Sequence, residues 1–354
     1  MISLDLRHLP ESYEVELCHD QGYFPVVVGL RGDEVVAILR GGAGHIGIRG
    51  RLDLVRSMDG GKTWQAPRVI VDSEVDDRNP AAGLATDGTL ILAYHAQGSY
   101  NAQDHFDSSL KRAQARLTLS SDGGFTWTPT HPLGYEPYSA YSPYGHIVAL
   151  PDGTLFMPIY GPQPGNVADE IAVRDGACLV RSYDNGQTWS DPSCIALGYN
   201  ETALAILPNG DALAAVRSDD RGQMLAVCRS SDGGRTWSKP IQITAELEHP
   251  ADLTVLTNGW ILMVFGIRHD PLGIHALISR NNGHTWDVRR LLVADSLPGP
   301  DLGYPSIARS GDHLVIVYYS APRREWSQAD DPTGCVARAL LVSERQLVRA
   351  LGDI

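Results

Sequence analysis

Five times along this 354-residue chain the sequence runs Ser-x-Asp-x-Gly-x-Thr-Trp or a near copy, each time after a short β-prone run. The copies are SMDGGKTW (57–64), SSDGGFTW (120–127), SYDNGQTW (182–189) and SSDGGRTW (230–237). SRNNGHTW (279–286) keeps the frame with Asn281 in the Asp place. In such a turn an Asp or Asn side chain can cap backbone amides, Gly supplies positive φ, and Trp packs between layers. One carboxylate per turn is too few ligands for a calcium loop. The repeat therefore reads as structural, and no metal or cofactor is expected.

A second repeat interleaves with the first. Gly-centred turns precede EVVAILR, TLILAYH, TLFMPIY, DALAAVR, WILMVFG and HLVIVYY, at Gly32, Gly88, Gly153, Gly210, Gly259 and Gly311. Asn209-Gly210 between two β-prone runs is a strong hairpin signal. Spacings of about 50 to 65 residues suit four-stranded antiparallel blades with long top loops. Helical periodicity of any length is absent. The pattern predicts an all-β, six-bladed β-propeller occupying residues 1–354 as one domain. Blade six lacks the Trp-ended turn, and few residues remain after its third strand (335–343). The run Tyr13 to His19 is therefore expected to supply its outermost strand and close the ring, removing exposed sheet edges. A competing closure would use a strand at Gln346 to Leu351.

Composition narrows the function. A net charge of −13 argues against nucleic acid or an anionic membrane surface as main partner. No apolar run approaches the ~18 residues of a membrane span. The N-terminal residues lack the basic and apolar regions of a signal peptide, and the five cysteines stand singly. Both features lead to the expectation of a cytoplasmic protein with reduced thiols. GGAGHIGIRG (41–50) formally contains GxGxxG, but it leads into a strand. Without a helix N-terminus the phosphate logic fails, so it reads as a top loop.

In a propeller the first strand of each blade starts, and the second ends, around the central axis. By the repeat frame that ring holds Tyr23, Arg40, Arg78, Asn79, His95, Tyr144, Tyr160, Glu201, Arg217, His249, Asp252, Arg268, Tyr304 and Tyr318. Convergence of four arginines, two histidines and several tyrosines favours a polar ligand site. Glu201 and Arg217 lie at the two ends of one hairpin and are brought together by it.

These features resemble the sialidase (neuraminidase) superfamily. The Trp-ended turns look like its Asp-boxes, and the six hairpins like its propeller. Asn200-Glu201 and Arg217 match the family hairpin whose Glu activates a nucleophilic tyrosine and whose Arg belongs to a triad clamping the substrate carboxylate. Tyr304, opening blade six, matches that tyrosine. The resemblance implies a glycoside hydrolase cleaving a sialic acid or other acidic sugar, with Tyr304 as nucleophile, Glu201 as its base and Asp77 (or neighbouring Asp76) as general acid. His249 and His95 come next for the acid. Arg217, Arg78, Arg40, Arg268, His95, His249, Asp252, Asn79, Tyr23 and Tyr318 would contact the carbohydrate.

The departures point the other way. Tyr23 stands where the family has its first triad arginine, Tyr318 where that arginine's acidic support lies, and Gly273 where the third arginine falls. The acid/base aspartate falls near Asn79. A uronate-directed polysaccharide lyase, using Tyr or His as base, and a non-catalytic glycan-binding propeller are the alternative readings.

Overall fold

The computed structural model describes residues 2–134, 138, 140–162, 175–218, 222–325 and 328–352. It is a six-bladed β-propeller. Blade one is built from Tyr23–Gly29, Val35–Gly41, Arg51–Ser57 and Arg68–Val71, and blade two from Asp76–Leu84, Leu90–Gln97, Ala113–Ser120 and His131–Pro132. Blade three has its inner strand in two pieces, Ser142–Pro143 and Val148–Ala149, followed by Leu155–Pro162, Asp175–Ser182 and Ser190–Leu197. Between the pieces, Gly145–His146 pairs in parallel with Ala81 and Ala82 of blade two. Blade four comprises Tyr199–Ile206, Ala212–Ser218, Leu225–Ser230 and Ile241–Gln242, and blade five Glu248–Val255, Ile261–Ile267, Gly273–Ser279 and Arg290–Asp295. Leu302–Ser310, His313–Ser320 and Val336–Ser343 form blade six, and Tyr13–His19 pairs antiparallel with Val336–Ser343 as its outer strand.

The second strands explain why the sheets stack. VVAILRG (35–41) and ILMVFGI (261–267) are buried at every position, because each blade is covered on both faces by its neighbours. The Trp-ended turns fill the seams. Trp64 packs into the apolar core between blades six and one, Trp127 between one and two, and Trp189 between two and three. Trp237 and Trp286 do the same for the next two seams. Within the turn at 182–189, the Ser182 hydroxyl donates to Asp184 (2.8 Å) and accepts from the Gly186 amide (2.9 Å). Asp184 in turn accepts from the Thr188 amide and hydroxyl at 2.9 and 2.6 Å. In three copies an arginine directly precedes the Ser and crosses the seam. Arg56 donates to the carbonyl of Gly123, Arg181 to that of Gly233, and Arg229 to that of Asn282, each in the next blade's turn.

The seam between blades five and six has no such Trp. Leu347 and Leu351, one helical turn apart on a C-terminal helix (Glu344–Gly352), occupy it together with Leu6 and Leu9. Glu344 is buried and fixed by Arg309 at 2.7 and 2.9 Å. The expected absence of helix is thus corrected, and Gln346 to Leu351 is not a strand. Its i, i+4 apolar pair is too short a pattern to register as periodicity. Replacing Leu347, fully buried in that seam, with Ala should cost about 2–5 kcal/mol in urea unfolding. A loss below about 1 kcal/mol would show that the helix is not part of the core.

Candidate functional site

The site is made by a repeated backbone irregularity. The inner strands of blades one, two, four, five and six each lose register near their start, between Tyr23 and Val26, Arg78 and Ala81, Tyr199 and Thr202, Glu248 and Ala251, and Gly303 and Ser306. Three of these bulges have the same chemistry. Phe24, Asn79 and Tyr304 take left-handed φ values of 53°, 49° and 47°, and each is followed by proline. Proline cannot donate to a ladder, so it belongs at such a break, and a bulge re-aims the side chain beside it. Non-glycine residues at positive φ cost free energy and cluster where function requires the strain.

Tyr304 is thereby directed at Glu201. Its hydroxyl donates to Glu201 Oε1 at 2.5 Å, and Arg217 Nη1 donates to Oε2 at 2.6 Å. Burial first, and then the Glu201 charge, push the Tyr304 phenol well above its ordinary range, with Arg217 and Arg268 opposing. The resting phenol is therefore protonated and aligned to give its proton to the carboxylate.

Arg268 lies over the Tyr304 ring with its guanidinium carbon 5.4 Å from the centroid, and donates to the Leu302 carbonyl at 2.8 Å. Arg78 lies over Phe24 at 5.4 Å, and Phe24 meets Tyr304 edge-on at 4.7 Å. Arg78, Arg217 and Arg268 thus stand around the phenol, Arg217 paired with Glu201 at 2.6 Å and Arg78 with Asp76 at 3.5 Å. Tyr160 and Tyr144 line the same space. Asn79 donates to the Tyr160 and Ser142 hydroxyls at 3.0 and 2.9 Å, and the Tyr144 ring sits 6.0 Å from Tyr304.

Two histidines flank the arginines. The ring nitrogens of His95 and His249 are buried and have no hydrogen-bond partner among the described residues. Burial and the adjacent Arg78 push His95 down to about 4, while burial, Arg268 and Arg217 push His249 lower still. Both are neutral.

Other ring residues have structural partners. Arg40 is fully buried, donates to Asp76 at 2.7 and 2.9 Å and to the Ala43 and Gly47 carbonyls, and has no reach into the funnel. Asp76 also accepts from Tyr100 at 2.7 Å. Asp77, near the start of blade two's inner strand, is held without exposure by the amide and hydroxyl of Ser73 in the preceding loop, at 2.7 and 3.0 Å. Asp252 belongs to a knot on the axis, accepting from the Ile307 amide at 2.7 Å and meeting His146 Nε2 at 3.1 Å. His146 also contacts the Ser306 hydroxyl, which accepts from the Val27 amide. Tyr23 is buried among Phe24, Tyr319 and His45.

Tyr318 is displaced from the expected ring. It packs in the seam between blades five and six, and Tyr319 faces the axis, its hydroxyl donating to Asp301 at 2.5 Å. Alternation along a strand makes a one-residue error a change of face. Sequence reasoning also missed Phe24, His45 and Asp301. The X-Pro step three residues into an inner strand was the available signal for Phe24. His45 lies in the glycine-rich segment that the sequence marks only as a top loop.

Six blades, Asp-box turns and a bulged inner ring define a sialidase-like β-propeller. The chain belongs to the BNR repeat-like family, whose family model matches residues 38–317. A sialidase of Micromonospora viridifaciens is 26% identical over 221 residues, 56% of this chain and 32% of that protein. One of Bacteroides fragilis is 23% identical over 300 residues, 76% of this chain and 53% of that protein. The chain therefore spans between a third and about half of these curated relatives. Among solved structures, a Dyadobacter fermentans protein of unknown function superposes with a TM-score of 0.77 at 22% identity, covering 95% of this chain and all of that one. Trypanosoma rangeli sialidase in complex with sialic acid superposes at 0.69 and 17% identity, covering all of this chain and 62% of that one. These superpositions establish the fold.

Asp77 sets a pH dependence. Burial, with Asp76 and Asp72 adding, holds its carboxyl up at about 6 against the opposing Ser73 hydrogen bonds. A raised carboxyl favours the folded state fully below the unfolded pKa of ~3.9 and loses that contribution as pH rises through the folded value. The stability of the wild type relative to Asp77→Asn should fall by about 2 kcal/mol between roughly pH 4 and pH 7. Denaturant titrations of both proteins across that range measure it. A constant difference would contradict the assignment.

Proposed function

We propose that this chain is a glycoside hydrolase acting on an acidic sugar, with Tyr304 as nucleophile and Glu201 as the base that activates it. The observation that carries this reading is the 2.5 Å hydrogen bond from the Tyr304 hydroxyl to Glu201, at the centre of three arginines. A carboxylate nucleophile would be repelled by a sugar bearing its own carboxylate at the reacting carbon. A neutral phenol avoids that repulsion, but its ordinary pKa of ~10 requires a base within hydrogen-bond reach. Glu201 takes the proton as the phenol oxygen attacks, and Arg217 on its second oxygen holds it in register. Arg217, with Arg78 and Arg268 in place of the arginines missing at Tyr23 and Gly273, supplies the positive charge for an anionic substituent. The sialidase relatives and the sialic acid complex of the T. rangeli enzyme support a sugar ligand.

A fluorogenic panel of sialosides, uronides and neutral glycosides tests the reading. Acidic glycosides should be hydrolysed in preference to neutral ones, without an ultraviolet-absorbing unsaturated product. Tyr304→Phe should lower turnover by at least ~10²-fold while the fold survives. Turnover unchanged in that variant, or an unsaturated product, would overturn the proposal.

A further inference from the structure

A hydrolase of this kind also needs a group that protonates the departing oxygen, and the aspartates near blade two are engaged elsewhere. Asp76 is bound by Arg40 and Tyr100, and both oxygens of Asp77 are taken up by Ser73. A different pair lies one aromatic ring away from the nucleophile. His45, in the glycine-rich loop between the second and third strands of blade one, places Nδ1 2.9 Å from Asp301 Oδ1. Asp301 also accepts from Tyr319 at 2.5 Å, and these contacts hold its carboxyl down at about 2 against the effect of burial. The bond to Asp301 fixes the His45 tautomer, so that Nδ1 carries the proton. Nε2 is left without a protein partner among the described residues, and the ring is partly exposed, at 26%.

His45 is linked to the nucleophile through Phe24. Its ring meets Phe24 edge-on at 5.0 Å, and Phe24 meets Tyr304 at 4.7 Å. It lines an open cleft together with Arg268, the arginine that covers the Tyr304 ring. The charged groups on this cleft are Asp301, Arg268, Arg324 and Glu325, and Tyr23 packs against the imidazole from blade one.

We propose that His45, positioned by Asp301, is the general acid and base of this site, an inference that rests on the hydrolase reading. In the first step the Tyr304 oxygen bonds to the sugar carbon while the glycosidic C–O bond breaks. Glu201 receives the phenol proton, and the Nε2 proton of the His45 imidazolium passes to the leaving oxygen. In the second step neutral His45 takes a proton from water as the water oxygen adds to the sugar carbon. The bond to Tyr304 breaks and Glu201 returns its proton. Charges and protons are restored after each turnover.

The leaving group tests this. An acid catalyst matters for a poor leaving group and little for a good one. Methyl and para-nitrophenyl glycosides of the same acidic sugar are therefore compared in the wild type and His45→Gln. The variant should lose at least ~10²-fold in kcat/KM on the methyl glycoside, while staying within about fivefold on the para-nitrophenyl glycoside, which also reports that it has folded. Asp301→Asn, as a positioning variant, should show the same bias in weaker form, which a purely structural defect would not produce. Equal losses on both glycosides, or none, would overturn the role of His45 and leave the hydrolase reading intact. A wild type inert towards the whole panel would overturn that reading, and this assignment with it.

Discussion

A sheet that is apolar on both faces can be buried only between two others, and this constraint sets the architecture. Second strands buried at nearly every position leave almost no face for water, so each blade must have a neighbour on either side, and a ring satisfies all six at once. The Asp-box turns serve that packing. Each delivers a Trp into the seam with the preceding blade, and the turn's own hydroxyl and carboxylate satisfy its amides. Where the ring is joined by residues from both ends of the chain, a helix and a short N-terminal turn supply leucines to the seam that receives no Asp-box Trp.

The same ring creates the site. Inner strands converge on the axis, and a continuous ladder there would leave side chains facing only the seams. Bulges at X-Pro steps break the ladder and turn Phe24, Asn79 and Tyr304 inward. The polar groups that arrive there are of two kinds. Asp252, His146 and Ser306 satisfy one another and tie blades together as a floor. Above them Tyr304, Glu201 and the three arginines keep unused hydrogen-bonding capacity, including the buried Nε atoms of Arg217 and Arg268. Unspent capacity in a desolvated pocket lined by arginines distinguishes a ligand site from a floor.

Much of this was legible in the sequence because it repeats. The six hairpins and five Trp-ended turns define the blades, and Glu201 and Arg217 face each other because one hairpin joins them. Tyr304 was reachable through family resemblance, at a position where spacing alone would not have singled it out. What the sequence hid was pairwise. Nothing in the order of residues says that Arg40 spends itself on Asp76, since the partners lie in different blades and meet only after the ring forms. Unbroken alternation along the second strand of blade six puts Tyr318 with Leu314 and Ile316 in the seam with blade five and Tyr319 on the opposite face, against Tyr23 and Phe24. His45 and Asp301 are 256 residues apart, and no local sequence pattern pairs them.

The central claim is that Tyr304 forms a covalent bond to the sugar. It is tested most directly by trapping that bond with a fluorinated activated glycoside of an acidic sugar and mapping the adduct by mass spectrometry. The account predicts added mass on the tryptic peptide spanning 291–309, localised to Tyr304 and absent from Tyr304→Phe. Adduct on Glu201 or another carboxylate, or steady turnover with no adduct on this peptide, would contradict it.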